Sequence, residues 1–251
     1  MNKTFSLLIL SFCLLTACQD SLRKKTNFSK PNIVLILTDD LGYGDISCYR
    51  KDYKKLYDRP STSQTPNIDK MAKNGMRFTD FYSGAAVCSP SRAALLTGRN
   101  STRIGIYNWI PKNQPMHFRA EEVTIAEVLK DAGYNTGHFG KWHLTAEGMN
   151  QPLPMDQGFD YAFYTYNNAI PSHRNPVNFY RNGKAVGDLQ GYSCQLVVEE
   201  AIQWLENIDK KNKPFYVNLW FNEPHVKVAA PPKFADKHKY RDQYYGAIEN
   251  T

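Results

Sequence analysis

The run Pro31-Asn32-Ile33-Val34-Leu35-Ile36-Leu37 constrains this chain most. A short, continuous run of branched apolar residues suits a strand buried on both faces, the situation of strands in a parallel sheet. Tyr134 to Gly140 reads as a second strand, and Pro214 to Phe221 as a third, buried one. Helical patterns lie between them. Thr65-Pro66-Asn67 opens a helix whose Ile68, Met71 and Ala72 form an inward stripe, closed by Gly75. Thr124 to Ala132 turns Ile125, Val128 and Leu129 inward and stops at Gly133. Gln195 to Asp209 carries the stripe Val197, Ala201, Leu205 and Ile208. The pattern is that of an α/β chain with ample apolar content (42%) for a core in its 251 residues.

In open α/β sheets, ligands gather at the carboxyl ends of strands. The first strand stops at Thr38-Asp39-Asp40. Two adjacent carboxylates repel each other unless a cation or protons intervene. A hard divalent ion is the economical solution, and a solvated acidic turn is the plain one. The second strand runs into Lys141-Trp142-His143, whose first and third residues share a side in an extended segment. An ammonium and an imidazole can meet one anion there. The third ends in Asn222-Glu223-Pro224-His225, where an imidazole can move protons near neutral pH. Three strand ends therefore converge on competent chemistry. His138 has no such setting and reads as structural.

Val87-Cys88-Ser89-Pro90-Ser91-Arg92, continuing to Leu95-Leu96-Thr97-Gly98-Arg99, adds a helix start. Ser89 is a good N-cap, Pro90 suits the first helical position, and Gly98 can close the helix in the left-handed conformation. Cys88 then lies just before the N-terminus, where free N–H groups favour an anion and should make a thiol acidic. Arg92, a turn further in, offers a planar fork to an oxyanion. A buried capping cysteine is the plain alternative. A cysteine phosphatase wants arginine six residues after the cysteine, and position 94 is Ala.

C-S-P-S-R followed by A-A-L-L-T-G-R resembles the signature of type I sulfatases, in which a maturation enzyme oxidises the cysteine to formylglycine. I-V-L-I-L-T-D-D-L-G-Y-G-D resembles their first strand and calcium ligands, and G-K-W-H-L their second motif. Pro224-His225 resembles the third, although Lys227 stands where many members have proline. The resemblance runs from about Pro31 to the end. It implies a three-layer α/β/α domain with a mostly parallel central sheet, alkaline-phosphatase-like, and hydrolysis of sulfate esters. Cys88, as hydrated formylglycine, would attack sulfur. Arg92 and Lys141 would hold the sulfate oxygens, His225 would protonate the leaving alcohol, and His143 would accept a proton as sulfate departs. Asp39 and Asp40 would bind Ca2+, with the oxygen made from Cys88 in its shell. The substrates implied are sulfated glycans or aryl sulfates. A phosphodiesterase or phosphonate-ester hydrolase of the same superfamily, and a non-catalytic remnant that binds sulfated glycans, are the alternatives.

Members of the family supply a further Asp-Asn pair, another lysine and a smaller subdomain downstream; nothing after His225 here offers an Asp-Asn pair, and the subdomain is absent. Loss of one oxyanion donor can cost about a hundred- to a thousandfold in rate. Residues 31–251 thus read as the N-terminal part of a catalytic domain, truncated, and the 251-residue product alone is expected to be inactive or unstable.

Asn2-Lys3 and the apolar run Leu7 to Ala17 read as a signal peptide over residues 1–17, too short to span a bilayer. Leu15-Thr16-Ala17-Cys18 resembles a bacterial lipobox, which implies lipid on Cys18, a polar tether over 18–30 and a membrane attachment in the bacterial cell envelope. Cys48 and Cys194 could pair or stay free. Lys and Arg total 31 against 24 acids. That spread-out excess suits anionic ligands and does not argue for nucleic acid. Met76 to Tyr82 reads as a strand or extended segment leading to Cys88, and Gln151 to Tyr192 as an insertion rich in Pro, Asn and Tyr. His173 and Arg174 within it read as solvated loop residues.

Overall fold

The computed structural model describes residues 30–49, 63–208, 213–238 and 241–251. The signal segment and Cys18 lie outside them. Among the described residues six strands form one sheet: β1 (Ile33–Leu37), β2 (Asn135–Lys141), β3 (Tyr161–Thr165), β4 (Tyr180–Arg181), β5 (Lys184–Ala185) and β6 (Phe215–Trp220). Their order is β1-β6-β2-β3-β4-β5. The four strands from β1 to β3 are parallel, and β4 and β5 add two antiparallel pairings on the side away from β1. The helices are α1 (Pro66–Asn74), α2 (Cys88–Thr97), α3 (Ser101–Ile104), α4 (Ile125–Asp131), α5 (Ser193–Asn207), α6 (Pro232–Ala235) and α7 (Asp242–Asn250).

Strand alternation sorts the core into two sides. Tyr216 and Trp220 of β6 and Tyr164 of β3 pack on one face with Leu96 of α2, Ala126 of α4, Trp142 and Phe159. Val217, Leu219, Phe139 and Phe163 pack on the other against Val197, Ala201 and Trp204 of α5. The result is three layers, α/β/α, around a mostly parallel sheet. His138 belongs to the first face as a structural residue. Asn218 Nδ2 lies 2.9 Å from its Nδ1, its ring meets Trp142, Phe159 and Trp220, and burial pushes its pKa down to about 3.

Several expectations need correction. β6 is buried on both faces, but β1 is not, because it lies at the sheet edge while α5 packs on β2 and β6. Val34 and Ile36 are 53% and 50% exposed, while Ile33, Leu35 and Leu37 pack inward. Helix α1 has the expected limits, yet Ile68 and Met71 are exposed and none of its residues is buried. In α4, Ala126 and Leu129 face the core while Ile125 and Val128 face outward. Its start is closed by a capping box between Thr124 and Glu127. Met76 to Tyr82 forms no strand, and Phe78, Phe81 and Tyr82 are exposed. The segment read as an insertion contains β3, β4 and β5. His173 is fully buried rather than solvated, because its ring is enclosed beside Glu223. Cys48 and Cys194, for which the sequence leaves both states open, form no disulfide, and Asn250 Nδ2 lies 3.1 Å from Cys194 Sγ.

Candidate active site

β1, β6 and β2 are neighbours and parallel, so their carboxyl ends share one edge of the sheet. Backbone bonds carry the register past the strands: Phe221 N donates to Leu37 O at 2.8 Å, and Asp39 N to Glu223 O at 2.9 Å. Gly140 precedes Lys141 at a positive φ of 103°, where its α-carbon faces the Trp220 carbonyl so closely that a Cβ would lie 1.8 Å from that oxygen. This close approach needs glycine.

The buried Asp39 carboxylate is the hub. Lys141 Nζ donates to Asp39 Oδ2 at 2.5 Å and to Asn168 Oδ1 at 2.6 Å. Arg92 lies 3.6 Å from Asp39 Oδ1, donates to Lys141 O at 2.5 Å, and stacks over Trp220. Burial pushes the Asp39 carboxyl up, but Arg92 and then Lys141 outweigh it and hold the group below its ordinary value. Burial lowers both cations, and Asp39 works against that.

Cys88 is half-buried and is the first residue of α2, with Val87 in the N-cap position. The helix therefore starts two residues before the expected point, with Cys88 rather than Pro90 in the first helical position. Ser89 is no cap: its Oγ accepts from Ile110 N at 3.1 Å, an interaction that anchors the following loop. Gly98 closes the helix at a φ of 64°, as expected. Cys88 lines a cleft of about 330 Å³ together with Asp39, Asp40, Ser91 and Arg92.

His225 stands at the edge of this cluster. Its Nε2 is 3.4 Å from Asp40 Oδ2, and its Nδ1 is 2.6 Å from Val226 O and 3.0 Å from Asn168 Nδ2. Nδ1 thus faces both a carbonyl acceptor and an amide donor, and the ring's tautomer decides which of the two it bonds. His143 is different. It lies at a φ of 52°, so it leaves the strand course after Lys141, and its Nε2 is 3.1 Å from Ile110 O. Lys141 and His143 thus have separate partners rather than a common one. Burial, then Lys141 and Arg92, pushes His143 well below the ordinary histidine value. It is a neutral imidazole whose buried Nδ1 bonds to no other group.

Two neighbours escaped the sequence reading. Asn168 bridges Lys141 and His225, and no spacing marks it within an Asn-rich loop. Glu223 is buried, takes the Ser193 hydroxyl and the Cys194 N–H (3.0 Å) at the start of α5, and is pushed up by burial. His173 Nδ1 lies 3.8 Å from it, and burial lowers His173 to about 4. Arg174 is exposed, as expected.

Asp39 and Asp40 are hard oxygen donors that fit a divalent cation in kind. They supply only part of the six or more ligands such an ion takes. Among the described residues no group of three or more His, Cys, Asp or Glu gathers around a metal-sized space.

The sulfatase family model matches residues 31–251. The chain belongs to the sulfatase family. Arylsulfatase G of Mus musculus is 34% identical over 259 residues, covering 90% of this sulfatase and 47% of the mouse protein. The crystal structure of Ps i-CgsB in complex with k-i-k-neocarrahexaose superposes with a TM-score of 0.74 at 29% identity, over 88% of this chain and 52% of that one. A structure in complex with its substrate D-glucosamine-2-N,6-O-disulfate matches with a TM-score of 0.65 at 31% identity, over 82% of this chain and 37% of that one. The chain spans about half the length of the curated arylsulfatase G it matches. Sulfatases generally use a formylglycine and a divalent metal.

Proposed function

We propose that this chain carries the formylglycine-bearing part of a sulfate ester hydrolase that acts on sulfated carbohydrates. The observation that carries the reading is the gathering of Cys88, Arg92, Lys141, Asp39, Asp40 and His225 at the carboxyl ends of three adjacent parallel strands. The sulfated sugars bound by two related structures support the substrate class.

In this reading Cys88 is the precursor that a maturation enzyme converts to formylglycine. Asp39 and Asp40 hold Ca2+, which supplies Lewis-acid charge and orients the nucleophile when bound. Arg92 and Lys141 offset charge on the sulfuryl oxygens. His225, with Nε2 beside Asp40, gives a proton to the departing alcohol. His143, kept neutral by burial and two cations, accepts a proton. Cys18 is the proposed lipid attachment and places the chain in a bacterial envelope, a reading supported by the apolar run ending in Leu15-Thr16-Ala17-Cys18. Metabolic labelling with a fatty acid, lost in Cys18→Ala, tests that part.

The site is tested by equilibrium binding. An aryl sulfate should bind this chain, inorganic sulfate should displace it, and calcium should strengthen it. No binding, or tighter binding of the matching aryl phosphate, contradicts the reading.

A further inference from the structure

A second cleft, of about 520 Å³, opens beside His225. Its size is that of a site for a ligand larger than one sulfate group. Asn168 belongs to both places: it lines this cleft and contacts Lys141 and His225. Any group leaving from His225 therefore has this space next to it. Tyr166 and Tyr180 line the cleft as a T-shaped pair, with ring centroids 4.9 Å apart. Amphipathic rings of this kind suit the apolar faces and hydroxyl rims of sugars.

The charges across the cleft are unequal. Glu147 on one side is already engaged: Lys112 lies 3.2 Å from it, and the Tyr180 hydroxyl donates to it at 3.1 Å. Lys227, two residues past His225, is exposed and forms no ion pair among the described residues. Its backbone carbonyl is fixed by His173 N at 3.3 Å, so the ammonium projects from an anchored stretch of chain. A cleft with aromatic walls, an offset acid and one available cation is complementary to an anionic sugar.

We propose that this cleft binds the sugar on the leaving-group side of the ester and that Lys227 selects for a second acidic group on that glycan. The inference rests on the sulfate-ester reading of the neighbouring site and adds a specificity residue to it. A second sulfate and a uronic carboxylate present the same chemistry to the ammonium.

The test is calorimetric titration of the full chain with four probes: inorganic sulfate, a monosulfated neutral disaccharide, its disulfated form, and a monosulfated disaccharide containing a uronic acid. Lys227→Ala should weaken the two doubly acidic sugars by about fivefold, the size of a partly exposed ion pair, and added salt should shrink that difference. Affinity for inorganic sulfate and for the monosulfated neutral sugar should be unchanged. Which doubly acidic sugar loses more identifies the preferred acid. Equal affinity of wild type and variant for both doubly acidic sugars overturns the role of Lys227. Absence of inorganic sulfate binding in the wild type, with the disaccharides still bound, counts instead against the sulfate-ester reading.

Discussion

Lys141 Nζ lies 2.5 Å from Asp39 Oδ2 although their strands do not touch: β6 runs between β1 and β2, and the pair closes over its end. Both side chains are buried, so each charge depends on the other. Removing one partner of a buried pair commonly costs about 3–5 kcal/mol, because the remaining charge is stranded. Arg92 still faces Asp39 at 3.6 Å. Lys141→Met should therefore destabilise the chain by about 3 kcal/mol, read from the urea midpoint at constant slope.

Gly140 gives a sharper case. A Cβ there would overlap the Trp220 carbonyl of the central strand, at a φ that side chains rarely adopt. The backbone must separate β2 from β6 to accept it. Gly140→Ala should cost at least about 4 kcal/mol and give no cooperative thermal transition in calorimetry, whereas Gly98→Ala, with open space around it, should still melt cooperatively.

His138 makes stability depend on pH. Its folded value, about 3, lies below the ordinary histidine value, so the unfolded chain binds the extra proton first. The contribution is complete above about pH 6.5 and falls steadily as pH drops toward the folded value. By pH 5 the loss from this one group is on the order of 2 kcal/mol. His173 and His143, also lowered, act in the same direction. Unfolding free energies measured from pH 7 to pH 5 should fall in the wild type and fall less in His138→Gln.

Asn168 should matter for ligand more than for fold. Its amide bridges Lys141 Nζ and His225 Nδ1 from a half-buried loop. Asn168→Ala should cost about 1–2 kcal/mol of stability and weaken aryl sulfate binding at least severalfold. Asn168→Asp should keep the contact to Lys141 while losing the amide donor to His225. Binding titrations on the three proteins separate the two contacts.

The strand ends were legible because their chemistry follows closely on strand-like segments: Asp39 two residues past Leu37, Lys141 next to Gly140, and His225 five residues past Trp220. The helix after Cys88 was legible from Pro90 and from Gly98 at its close, although it begins two residues earlier and without the expected cap. What escaped depended on neighbours distant in sequence. Val34 and Ile36 are as apolar as the residues of β6, and only the edge position of β1 leaves them uncovered. Ser89 has a capping hydroxyl, but Ile110 N, a distant backbone group, claims it. His173 resembles any loop histidine until Glu223 and the start of α5 enclose it. Asn168 becomes informative only once Lys141 and His225 are brought to either side of it.

The most direct measurement is capture of an aldehyde at Cys88. The chain would be produced in cells that contain a formylglycine-generating enzyme, treated with a hydrazide reagent and digested, and the peptide spanning Cys88 weighed. The account predicts a hydrazone at that residue, absent in Cys88→Ala and absent when Arg92, part of the maturation signature, is replaced by Ala. An unmodified thiol at Cys88 in cells whose maturation enzyme labels a control sulfatase would contradict it.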